Sequence, residues 1–197
     1  MSVEALAALA RRLNREAGAP PVPWLYFFTD PERTPDPVAI ARALPVETAV
    51  VYRHYGAAER RVVAQKLAEV CASRRLVLLI AADPELAARV GAAGVHWPER
   101  KLPAARDPRF ALTTVSAHSR EAVRRANAWG AGACILGPVF ETRSDSGKVP
   151  LGLFRASQIA RGSAIPVIAL GGIGASNAQR LGGRSFAGFA AVDAFID

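Results

Sequence analysis

Eight short apolar runs, most of them rich in β-branched or aromatic residues, recur along the chain, at residues 25–29, 49–52, 76–80, 94–96, 111–116, 132–136, 166–170 and 188–192. Most of the intervals between them carry an alanine-rich helical pattern, clearest at 59–73, 84–90, 119–129 and 153–159. Strands separated by helices are parallel and joined by crossovers. Eight such units predict a compact α/β (β/α)8 barrel, near the lower size limit of about 200 residues for that architecture. Ahead of the first run, Leu6, Leu9 and Leu13 fall at helical spacing beside Arg11, Arg12 and Arg15, an amphipathic N-terminal helix. Behind the last run only residues 193–197 remain, so the eighth helix is expected to be truncated or missing. The N-terminal helix would take its place, or a second subunit would close the edge and make a homodimer.

The 197 residues suit one hydrophobic core, and 1–197 is read as a single domain. The chain is 51% hydrophobic and 21% charged, the balance of a globular protein. No apolar run approaches the roughly 18 residues of a membrane-spanning helix, so no membrane partner is expected. The first helix places its charge after its leucines, unlike a secretory leader, and the expected location is cytoplasmic. Cys71 and Cys134 sit in apolar surroundings without paired spacing and read as buried thiols. The net charge of +8 comes from arginines scattered over helical segments without interleaved aromatics. That pattern excludes nucleic acid as the expected partner and leaves a solvated basic surface or a small anionic ligand.

In barrels of this type the chemistry lies at the carboxyl ends of the strands. The residues there are Thr29 and Asp30; Arg53 and His54; Asp83; His96, Trp97 and Glu99; Ser116 and His118; Glu141, Thr142, Arg143 and Ser144; Gly171 and Gly172; and Asp193. The stretch ILGPVFETRSDSG, 135–147, is a long loop on that face, suited to folding over a ligand. In ALGGIGASNAQRL, glycines end a strand and are expected to open a helix whose N-terminal amides and dipole favour an anion such as phosphate. A tight left-handed turn would also call for those glycines.

Six segments, WLYFFTD, GAAGVHW, VSAHS, GAGACILGPVFET, IPVIALGGI and GFAAVDAF, occur in the order and spacing of the thiamine phosphate synthase/TenI superfamily, and together they cover most of the chain from Trp24 to Phe195. The chain resembles that superfamily, and the resemblance implies a (β/α)8 barrel handling a thiazole phosphate. Its synthase branch joins hydroxymethylpyrimidine pyrophosphate to the thiazole with Mg²⁺ on the pyrophosphate. Its TenI branch includes thiazole tautomerases, which move a proton without a metal.

The departures from the synthase pattern bear on the branch. Where a synthase has Q-x-R-x-K after the second strand, Val51 to Tyr55 keeps only Arg53. Where it has I-N-D after the third, Ile80, Ala81 and Ala82 stand, and where H-L-G-Q-x-D follows the fourth, Lys101 takes the acid's place. Mg²⁺ needs hard oxygen ligands, which alanine and lysine lack; Asp83 or Glu99 would have to substitute. In the long loop T-x-T-K becomes Thr142-Arg143-Ser144-Asp145, with Lys148 beyond. Asp193 replaces a serine used beside the thiazole phosphate. A carboxylate about 4 Å from a phosphate charge is repelled by about 4 kcal/mol at an effective dielectric near 20, so Asp193 must turn away, be paired with an arginine such as Arg184, or belong to an altered site.

His118, in Ser116-Ala117-His118-Ser119, matches the position where TenI tautomerases use a histidine as general acid and base, and FET is closer to the TenI form of the loop. The alternative reading makes His118 or Ser119 the start of the next helix. His96 reads as scaffold, while His54, Tyr52 and Tyr55 either line the mouth or pack around it. Three functions follow. The first is a TenI-like, metal-free, thiazole tautomerase-like isomerase, with His118 catalytic and Arg53, Ser116, Thr142, Ser144, Gly171, Gly172 and Asp193 around a phosphorylated thiazole or pyrimidine ligand. The second is a thiamine phosphate synthase, a transferase needing Mg²⁺. The third is a non-catalytic binding or regulatory homologue. The first and third need no cofactor.

Overall fold

The computed structural model describes residues 1–142 and 149–196. Eight parallel strands close into a barrel in sequential order: β1 (Leu25–Phe28), β2 (Ala49–Tyr52), β3 (Val77–Ala81), β4 (Gly94–Trp97), β5 (Leu112–Ala117), β6 (Ala133–Leu136), β7 (Val167–Leu170) and β8 (Phe189–Ala191). β8 returns to β1 with Leu25 opposite Phe189 and Phe27 opposite Ala191. This is the eightfold barrel expected from the sequence, with strand ends shifted by a residue or two.

Alternation along each strand divides the core in two. Tyr26, Phe28, Ala49, Val51, Leu79, Ala81, Ala133, Ile135, Ile168 and Ala190 pack together inside the barrel. Their neighbours, among them Leu25, Phe27, Val50, Leu78, Ile80, Leu136 and Phe189, face the surrounding helices. The inner cylinder holds two aromatic rings from β1 because β2, β3, β6 and β8 each turn an alanine inward and β4 begins with Gly94. Large beside small is how a narrow barrel fills without voids.

The helices are α1 (Val3–Glu16), α2 (Pro37–Ala43), α3 (Arg60–Arg74), α4 (Pro84–Arg89), α5 (Arg120–Trp129) and α6 (Leu153–Arg161). Their starts follow from local chemistry. Ser2, Asp36, Asp83 and Ser119 each accept a backbone N–H of the first turn, and prolines stand at the first helical position of α2 and α4. α5 stops at Gly130, whose φ of 85° is the left-handed cap. Among the described residues no helix is long and apolar enough to cross a membrane. Cys71 and Cys134 are free and buried, and desolvation pushes both thiols up to about 12.

The last two units depart from the pattern. After β7 the expected helix reduces to a single 3-10 turn, Ala178–Leu181. Asn177 accounts for this: its side-chain oxygen accepts from Gly174 N at 3.0 Å while its amide donates to Gly172 O at 2.7 Å. A side chain folded onto its own backbone competes with helical bonding, and Gly182 and Gly183 end the turn. After β8 the described chain adds only the 3-10 turn Asp193–Phe195. The vacant flank is covered by α1, which packs on β1 and on the turn after β7. Asn14 donates to Ala187 O at 3.2 Å, and Glu16 accepts from Gly183 N at 3.1 Å. Phe195 completes the seam with its ring 5.7 Å from that of Phe27.

A Cβ at Gly94 would run into the carbonyl of Leu112 on the neighbouring strand and into Leu79. Gly94→Ala is therefore expected to cost about 3 kcal/mol, read as a lower urea midpoint at unchanged slope. His96 is buried inside the barrel, and desolvation lowers its pKa from 6.5 to about 3. Below about pH 6.5 the unfolded chain takes up a proton that the folded chain refuses, so this contribution to stability declines as pH falls toward 3, by about 1.4 kcal/mol per unit. Above pH 6.5 it has no pH dependence. Denaturation of the wild type and His96→Gln between pH 7.5 and 4 should show a shallower acid decline in the variant.

Candidate functional site

The carboxyl ends of the strands surround a cavity of about 710 Å³. Arg53, Ser116, His118, Thr142, Gly171, Gly172 and Asp193 all line it, so seven of the eight residues singled out from the sequence meet around one space. Ser144 lies outside the described residues, as do Arg143, Asp145 and Lys148.

The floor is made by side chains of β1, β4, β5 and β6. Phe28 meets the edge of the His96 ring at a centroid separation of 5.0 Å. His96 Nδ1 lies 2.9 Å from Thr114 Oγ1 and its Nε2 2.9 Å from Ser116 Oγ. Both ring nitrogens are thus satisfied within the barrel, which makes His96 scaffold, as expected, although it also borders the cavity.

His118 follows β5 directly, and its structural alternative is taken by its neighbour: Ser119 Oγ accepts from Ala122 N at 3.1 Å and caps α5. His118 is left to face the cavity. Its Nδ1 lies 2.7 Å from Glu99 Oε2, while Glu99 Oε1 accepts from Arg125 Nη2 at 2.7 Å. Glu99 sits in the 3-10 turn Glu99–Lys101 after β4 and Arg125 on α5, so the pair ties two neighbouring βα loops together.

On the opposite side four charges alternate. Arg53 Nη2 is 3.7 Å from Asp30 Oδ2, Arg33 Nη2 is 3.3 Å from the same oxygen, and Arg33 Nη1 is 3.1 Å from Asp193 Oδ2. Asp193 is therefore paired, with Arg33 and not with Arg184. Arg184 lies elsewhere, beside Arg155 and Arg180 near the start of α6. Arg53 is held by its Nε donating to Thr29 O at 2.8 Å, with its guanidinium 5.2 Å above the Phe28 ring. Burial draws its pKa below the usual arginine value. Arg33 was not among the residues singled out; the signal was its place three residues after Asp30 in the loop following β1.

Of the aromatic group after β2, Tyr55 alone lines the cavity. Tyr52 points outward into the packing between sheet and helices, and the buried His54 ring lies 5.0 Å from it. The strand alternation that puts Val51 inside puts Tyr52 outside.

Gly171 and Gly172 have φ of 100° and 65°. A Cβ on the first would strike Pro138, and on the second the carbonyl of Glu141. The glycines thus let the loop after β7 lie against the loop after β6. The 3-10 turn that follows has no α-helical dipole, so an anion here would be met by loop backbone and not by the helix terminus that the sequence led one to expect. The N-terminal segment, from Met1 to Val3, borders the same part of the cavity.

Among the described residues no group of three or more histidines, cysteines or carboxylates is placed to hold a metal ion. The two acids that would have to substitute are engaged: Asp83 caps α4 and lies 3.7 Å from Arg60, and Glu99 has both oxygens in use. Among the described residues this donor set does not fit the Mg²⁺ of the synthase branch; Asp145 of the long loop lies outside them.

The family model described as thiamine monophosphate synthase matches residues 25–195. A thiamine-phosphate synthase of Marinobacter nauticus is 34% identical over 170 residues, 81% of this chain and 76% of that protein. One from Nostoc sp. is 31% identical over 159 residues, 78% of this chain but 45% of that protein, so the match spans less than half of its length. In structure, a thiamine phosphate pyrophosphorylase of Pyrococcus furiosus superposes with a TM-score of 0.74 at 25% identity, covering 86% of this chain and 85% of the other. These names correspond to the second of the three functions read from the sequence better than to the first. From the barrel, the rim that gathers the motif residues and the family match across nearly the whole chain, it follows that this protein belongs to the thiamine monophosphate synthase family.

Proposed function

We propose that the chain is an enzyme of thiamine biosynthesis that takes a phosphorylated thiazole into the barrel mouth and moves a proton on it without a metal. The observation that carries this reading is His118, free of any capping duty, facing the cavity with Nδ1 held by Glu99. A tautomerisation removes one proton from the substrate and returns one at another atom. An imidazole accepts the first on Nε2 and delivers the second from the same nitrogen, so atoms balance and no redox partner is needed. Phe28 and Ile135 supply an apolar floor for a heteroaromatic ring, and Arg53 and Arg33 supply positive charge at the rim. The Arg33–Asp193 pair supports retention of a phosphorylated ligand, since the carboxylate is offset where the family has a serine.

A second reading, condensation of hydroxymethylpyrimidine pyrophosphate with the thiazole, is supported by the relatives' names. Against it stand Ala82 and Lys101 at the two positions where the resemblance places metal-binding acids; among the described residues no group of three or more histidines, cysteines or carboxylates is placed to hold a metal ion.

Incubation of the purified protein with carboxythiazole phosphate and hydroxymethylpyrimidine pyrophosphate, with Mg²⁺ or with a chelator, separates the readings by NMR. Interconversion of thiazole tautomers that persists in chelator is expected; thiamine phosphate formed only with Mg²⁺ would establish the synthase, and no change in either arm would favour a binding protein. His118→Ala is expected to lower tautomerisation by at least a hundredfold while leaving the circular dichroism spectrum unchanged. Asp193→Ser removes a carboxylate from the rim and frees Nη1 of Arg33, whose Nη2 stays on Asp30. It is expected to lower KM for the phosphorylated thiazole by about tenfold, or about 1.4 kcal/mol, with kcat little altered.

A further inference from the structure

We propose that Glu99 is a positioning residue that fixes His118 in the tautomer carrying its proton on Nδ1, leaving Nε2 as an open lone pair toward the cavity. The inference rests on the reading of His118 as the proton carrier, and goes beyond it by assigning how the carrier is set.

The geometry argues in three steps. An ionised carboxylate only accepts hydrogen bonds, so the 2.7 Å contact between Glu99 Oε2 and His118 Nδ1 requires the proton on Nδ1. A neutral imidazole has one N–H, so Nε2 is then the basic nitrogen, on a ring that lines the cavity. The carboxylate cannot swing away easily, because Arg125 holds its other oxygen at 2.7 Å and the 3-10 turn after β4 fixes its backbone. Arg125 and the Ser119 cap belong to α5, whose N-cap directly follows His118, so imidazole, carboxylate and guanidinium are positioned by one helix and one turn.

Free imidazole side chains favour the other tautomer, with the proton on Nε2, and such a ring would have to donate before it could accept. Glu99 reverses that preference and makes proton abstraction the first step. A carboxylate behind a catalytic imidazole acts in the same way in hydrolytic triads, by tautomer and orientation and not by taking the proton itself. Glu99 stands where the synthase pattern H-L-G-Q-x-D has glutamine. A neutral amide accepts and donates with equal ease and fixes neither tautomer.

The test is a two-bond ¹H–¹⁵N correlation spectrum of the neutral His118 ring in the full chain, with kinetics on carboxythiazole phosphate alongside. Wild type is expected to show the Nδ1–H tautomer. Glu99→Ala should shift the ring to Nε2–H and lower kcat by about a hundredfold with KM changed less than threefold. Glu99→Asp should restore the Nδ1–H pattern and part of kcat. An Nε2–H ring in the wild type, which needs no variant to fold, overturns the proposal, as does a Glu99→Ala protein with wild-type kcat. If His118→Ala itself retains full turnover, the reading of His118 falls and takes this proposal with it; that failure appears in His118→Ala, whereas failure of the Glu99 assignment alone appears in Glu99→Ala.

Discussion

The structure depends on filling the inside of a narrow cylinder. Tyr26 and Phe28 of β1 occupy that space, and they fit because alanines from four other strands and Gly94 of β4 leave room for them. This complementarity fixes the register in which β8 meets β1 and so closes the barrel. Once it is closed, the carboxyl ends of all eight strands form one ring, and residues as distant in sequence as Arg53 and Asp193 border one cavity. The same packing sets the floor, where Phe28 supports His96 and His96 in turn holds Ser116.

Above that floor the balance of charge governs what the cavity accepts. Arginine and aspartate alternate from Arg53 through Asp30 and Arg33 to Asp193, so Asp193 does not stand alone at the rim. On the other side Glu99 is shared between His118 and Arg125. Exposed ion pairs contribute little to stability, with medians of about 0–1 kcal/mol. Their consequence here is for orientation: they determine which nitrogens and oxygens remain available to a ligand.

Membership in the thiamine monophosphate synthase family rests on a match across residues 25–195 and on relatives more than 30% identical. Fold and family do not by themselves assign a reaction, which resides in the site. Here the family's barrel is kept, and the proton transfer proposed above rests on the side chains that border the cavity.

The sequence alone determined the eight strands and the barrel, because short apolar runs alternating with helical segments admit few topologies and because strand ends in a barrel converge by necessity; the family came from the resemblance of six segments in order and spacing. It also brought forward His118, Arg53 and the paired glycines, each next to the end of an apolar run. Pairing across the rim was settled only by tertiary structure. Arg33 and Asp193 are 160 positions apart; the sequence sets Arg33 beside Asp30, but which arginine reaches Asp193 follows only from the closed barrel. The same holds for Glu99, which looked like a stand-in metal ligand until its contact with His118 was placed, and for Tyr52, whose side of the sheet follows from one step of strand register. The helix expected after β7 failed for a local reason, the Asn177 side chain closing on Gly172 and Gly174, but replacing it required α1 from the far end of the chain. Periodicity is a property of neighbouring residues and survives in the sequence; the choice among distant partners depends on which charges and surfaces the closed barrel brings within a few ångströms of one another.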